Sequence, residues 1–151
     1  MTGDIILFIA TLFIAPTRKR LLSVLILSIL VPWVTQASGK EKAKIVFLSG
    51  TPSHGKMAHE HRAGNMILAE ALKTSGLDVE PVVVPRYGYP EDPEVLKDAA
   101  TVVIFCTGHA GHMLKPHLDA FDKLMSEGTG VVMIHWATEA EKGKPGDLFL
   151  K

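Results

Sequence analysis

From residue 44 onward the chain alternates short apolar runs with amphipathic stretches. Residues 45–48 (IVFL), 102–106 (VVIFC) and 131–134 (VVMI) are continuously apolar, and residues 79–84 (VEPVVV) are rich in β-branched side chains. Such runs suit strands buried on both faces, and they predict strands near 44–49, 79–84, 101–106 and 130–135. Between them lie helical patterns. Met66, Leu68, Ala69 and Leu72 share a spacing that predicts a helix over 65–74, with Gly76 as its stop. Asp92 before Pro93 reads as a cap and first turn of a short helix through Ala99. Pro116 opens a third, with Leu118, Phe121, Leu124 and Met125 on one face and Gly128 at its end.

Strand–helix alternation of this kind predicts an α/β fold with a parallel sheet covered on both faces. The expected class is a flavodoxin-like, doubly wound sheet of four strands in the order 2-1-3-4. Ligands of such folds bind beyond the carboxyl ends of the strands. Six of the seven histidines fall in those loops: His54, His59 and His61 after the first strand, His109 and His112 after the third, His135 after the fourth. The order 2-1-3-4 is expected to gather His54, His61, His109, His112 and His135 around one concave pocket. Crowding would lower their pKa values, each positive charge disfavouring the next.

The N-terminus has a different pattern. Residues 5–15 and 21–34 are apolar, with Arg18, Lys19 and Arg20 between them. Neither run reaches the roughly 20 residues of a spanning helix. The second run, ending at Thr35-Gln36-Ala37, has the layout of a secretory signal with cleavage after Ala37. The expected organisation is a signal peptide or membrane anchor over 1–37, a linker over 38–43 and one α/β domain over 44–151. The protein is then exported, or held to the membrane through its N-terminus alone.

Charge adds an exclusion. Sixteen Lys and Arg balance sixteen Asp and Glu, so there is no basic excess for nucleic acid. Cys106 is the single cysteine, so no internal disulfide forms, and its place at a strand end favours a small buried hydrophobe over a nucleophile. Residues 50–56 (GTPSHGK) fit the first part of a phosphate loop, but Met57 stands where Ser or Thr would hold magnesium. The histidines are of the right type to ligate a divalent metal, with Glu60 or Glu139 to complete the shell, although no pair has a dedicated spacing. His135, with Glu139 four residues on, is placed for acid–base work.

Three segments carry a resemblance: KIVFLSGTPSHGKMAHEH (44–61), TVVIFCTGHAGH (101–112) and GTGVVMIHWATE (128–139). Together they resemble the ThuA-like (trehalose-utilisation) family of the class I glutamine-amidotransferase-like superfamily. In that superfamily the strand matching 131–134 leads into a sharp elbow that often carries a catalytic Cys. Here the elbow residue is His135, which implies neither a glutaminase nor a cysteine peptidase. The resemblance implies a sugar ligand and acid–base hydrolysis or rearrangement of a keto-disaccharide. It assigns His135 and Glu139 as the catalytic pair and His54, His61, His109 and His112 as substrate contacts. Family members continue past the segment resembling 146–150, so the chain is expected to be truncated. A non-catalytic binding module or an inactive fragment is the alternative.

Overall fold

A computed structural model describes residues 41–150. The expectations for the signal or anchor, and for residues 38–40 of the linker, lie outside the described residues. Seven main elements follow in order: strand β1 (Ala43–Ser49), helix α1 (His61–Thr74), β2 (Val79–Tyr87), β3 (Ala99–Phe105), α2 (Leu118–Ser126), β4 (Gly130–Ile134) and α3 (Lys144–Phe149). The four strands form one sheet in the order β2-β1-β3-β4, and every pairing is parallel. The parallel orientation is the one expected from the apolar runs, and the order is the one expected for a flavodoxin-like sheet.

Alternate residues of the central strands feed opposite faces. Val46 and Leu48 of β1, with Val102 and Ile104 of β3, pack with Phe121 and Leu118 of α2 and Leu148 of α3. Phe47 and Val103 point the other way and pack with Ala69 of α1. Burial on both faces is why these strands lack the apolar–polar alternation of a half-exposed sheet. The strand order reverses between β1 and β3, the place where sheets of this kind bind ligands.

Three boundaries differ from expectation. α1 begins at His61, four residues early, because residues 61–64 carry no apolar stripe to announce it. Gly64 is tolerated inside this helix because it lies on the ring of Phe105, where a Cβ would stand 2.7 Å from Cε1. The helix expected from Asp92 through Ala99 is a single 3₁₀ turn, Pro93–Leu96. Asp92 does cap it, accepting from the Glu94 N–H at 3.0 Å, but Asp98 turns to φ 57° and Ala99 starts β3. The third helix starts at Leu118, preceded by a turn at Lys115–His117 that contains Pro116.

The two edges of the sheet are unlike. β2 carries Pro81 and Pro85 with Glu80 and Arg86, devices that block further pairing. β4 reads GVVMI, without charge or proline, and Val132 is 46% exposed. Val132→Lys is expected to reduce concentration-dependent association in light scattering, with little change in thermal stability, since the side chain already faces solvent.

Candidate functional site

Two buried polar groups anchor the first turns of α1 to the end of β1. The His61 ring is 1% exposed, and its Nδ1–H donates to the carbonyls of Gly50 (3.2 Å) and Thr51 (3.0 Å). Those acceptors require a hydrogen on Nδ1, which fixes the tautomer of the neutral ring. Four residues on, on the same helix face, Asn65 donates Nδ2 to Leu48 O and Ser49 Oγ, both at 2.9 Å. Gly50 lets β3 close in: its N–H donates to Phe105 O at 2.8 Å, and a Cβ there would lie 2.4 Å from Cys106 Cβ.

Beyond this anchor the loops after β1 and β4 meet. The His59 ring centre lies 4.2 Å from His54, 5.1 Å from His135, 4.9 Å from Trp136 and 6.2 Å from His61. His135 stacks on Trp136 at 5.6 Å, and His54 meets the same indole edge-on at 5.2 Å. The Ser53 hydroxyl sits between two imidazoles, 3.1 Å from His59 Nδ1 and 3.3 Å from His54 Nδ1. Desolvation lowers the pKa of His59, and the charges of His54, His135 and His61 lower it further.

The backbone in these loops is strained. His54 (φ 72°), His59 (51°), His109 (51°) and His135 (57°) all occupy the left-handed region. Histidine tolerates it better than most residues, but the conformation still costs energy and concentrates at functional sites. His135 directly follows β4 and opens the 3₁₀ turn His135–Thr138, which Thr138 closes by donating Oγ1–H to His135 O at 2.9 Å. A strand running into a strained residue and then a helical turn is an elbow that lifts its side chain off the sheet.

The loop after β3 holds a second, separate pair. His109 Nε2 lies 2.7 Å from Glu139 Oε2, and the His109 N–H donates to Glu139 O at 2.7 Å. Gly108 permits this approach, since a Cβ there would fall 2.5 Å from Trp136 O and 2.8 Å from Glu139 Cβ. The carboxylate expected to partner His135 is therefore taken by His109. His112 is 5% exposed, donates Nε2–H to Ala137 O at 3.0 Å and accepts from the Leu114 N–H at 3.2 Å through Nδ1. With both nitrogens engaged by backbone it fastens the β3 and β4 loops, and the substrate contact expected of it has no free nitrogen to make it.

The single pocket expected around five histidines is thus divided. His54, His61 and His135 join through His59, His109 stands with Glu139, and His112 is interior. The cavity bordered by His109 and His112 measures about 10 Å³, room for one water at most. Among the described residues no three His, Cys, Asp or Glu side chains are grouped so as to hold a metal ion. Cys106 is fully buried, and burial raises its thiol pKa, as suits a packing residue. His59 and Trp136, the centre of the cluster, were absent from the expected site residues. The sequence signal for His59 was its place among the six histidines of these loops and in the His-Glu-His triplet at 59–61.

Burial lowers the pKa of His112, and its bond to Ala137 O opposes this in part. Unfolded chains bind that proton near pH 6.5, above the folded value, so the stability it supports is complete above pH 6.5. It is lost as pH falls below that through the folded pKa. The thermal midpoint should drop between pH 7 and pH 5, and His112→Gln should flatten that slope in a pH series of melts.

Comparison of the chain with protein-family models, with curated proteins and with solved structures gives no match.

Proposed function

We propose that the chain is a carbohydrate-directed acid–base domain of ThuA-like type, with His135 as the acid–base group. The observation that carries this reading is the elbow: His135 stands in a strained conformation at the end of β4, with His59 and Trp136 against it. A group that moves protons near neutral pH suits an imidazole. Desolvation, and then the neighbouring imidazoles, bias His59 toward its neutral form, from which it can take a proton from His135 or from a hydroxyl held between them. Trp136, with His135 stacked on it, adds to the site an aromatic ring of the kind against which sugars pack. The His109–Glu139 pair lies on the adjoining loop, its carboxylate orienting the imidazole, and it replaces the His135–Glu139 pair implied by the resemblance.

In this reading the sheet is of flavodoxin-like type, and residues 1–37 export the domain or anchor it. No helix among the described residues is long and apolar enough to cross a membrane. The test is incubation of the full chain with neutral disaccharides and their keto derivatives, followed by sugar chromatography. Turnover is expected for a keto-disaccharide and should fall by about 10²-fold or more in His135→Ala. Absence of turnover on every sugar, or full activity in that variant, would overturn it.

A further inference from the structure

We propose that the imidazole cluster of His54, His59 and His135 is an oxyanion subsite, so that the ligand carries a carboxylate, sulfate or phosphate group. The inference rests on the reading above for the place of the site and adds the class of molecule it takes.

Three imidazoles are linked through His59, whose ring centre lies 4.2 Å from that of His54 and 5.1 Å from that of His135. His54 and His59 both turn Nδ1 to Ser53 Oγ, which leaves each Nε2 edge for a ligand. The carboxylates nearest in sequence are engaged elsewhere. Glu60 Oε1 accepts from the Met57 N–H at 3.1 Å, and Glu139 Oε2 is 2.7 Å from His109 Nε2. Every charge that bears on His59 is another imidazole, and each of them disfavours its protonation. An anion among the rings would reverse that balance, favouring the charged form of each and recruiting N–H donors.

The N-terminus of the 14-residue α1 adds positive potential beside the rings, and the acidic group at that end is its N-cap residue, Glu60, whose Oε1 is held by the Met57 N–H. α1 starts at His61, beside His59, with no side chain capping it and no acidic residue in its first turn. Arg62 Nε, one residue into the helix, is buried without a hydrogen-bond partner. With Nδ1 of His54 and His59 turned to Ser53 Oγ, their other ring edges can donate to an anion, and each proton the anion recruits adds a donor.

The test is calorimetric titration of the full chain with inorganic sulfate at pH 5.5 and pH 8.0, at constant chloride ionic strength. Sulfate keeps its charge over this range, so any pH dependence belongs to the protein. Binding should be about tenfold or more tighter at pH 5.5, and His54→Gln and His59→Gln should each weaken it and shrink the pH effect. His54 is exposed, so the first variant keeps its fold and decides the matter if the second does not. At pH 5.5 glucuronate should bind about tenfold tighter than glucose, which distinguishes an acidic sugar from a free inorganic anion. Sulfate binding that is absent, independent of pH or unchanged in His54→Gln would overturn the proposal. Neither readout needs turnover, so sulfate binding survives a failure of the acid–base reading, and turnover of neutral sugars survives a failure of this one.

Discussion

His135→Gly is expected to yield a protein more stable than His135→Ala by about 1 kcal/mol, with both variants inactive. Elsewhere the order is the reverse, because glycine loses more backbone freedom on folding than alanine. At φ 57° the alanine Cβ retains the left-handed strain that glycine does not feel. Comparing the two removes the imidazole from both sides and isolates the backbone contribution, which denaturant melts can resolve. Activity toward a keto-disaccharide should fall about 10²–10⁴-fold in both, the usual range for losing a general acid or base. A glycine variant less stable than the alanine variant would mean that the elbow is relaxed in solution.

The largest loss of stability is expected at Gly50. An alanine there would place its Cβ 2.4 Å from Cys106 Cβ and 2.8 Å from Cys106 Cα. Both atoms belong to a buried strand end and cannot swing aside, so β1 and β3 must part where the sheet meets the site. The cost should reach about 3 kcal/mol, the upper end for overpacking a core. That is a large share of the roughly 5–15 kcal/mol that holds a domain together. Cys106→Gly in the same chain removes the nearer contact and should recover part of the loss. A double-mutant cycle by chemical denaturation measures that coupling, expected at about 1 kcal/mol or more. Additive effects would show that the strands do not approach at Gly50.

Much of the fold was legible because burial on both faces writes itself into a run such as VVIFC. The sheet order was expected by analogy with flavodoxin-like sheets, and all four strands fall where those runs lie. Boundaries were less legible wherever a residue serves a neighbour rather than its own element. Gly64 reads as a weak helix residue until the Phe105 ring above it is known, and Ala99 reads as helical until Asp98 turns the chain. The candidate site was legible as a set of loops at one end of the sheet, and not as a set of contacts. Left-handed backbone at His54, His59, His109 and His135 decides where each ring points, and spacing along the chain carries no trace of it. Glu139 lies four residues from His135 in sequence, yet its carboxylate bonds His109, thirty residues back in the chain. His112 resembled its neighbours in composition, and only its burial separates a fastening histidine from an exposed one.

The contact between imidazoles from the β1 and β4 loops is the centre of the account, and NMR titration of the histidine rings tests it most directly. His59 should titrate below the ordinary 6.5, because desolvation and the charges of His54, His135 and His61 all oppose its protonation. Removing a positive neighbour should raise it, so His135→Gln and His54→Gln are each expected to move the His59 midpoint back toward 6.5. A His59 midpoint at or above 6.5 in the intact chain, unmoved by either substitution, would contradict the cluster and the site built on it.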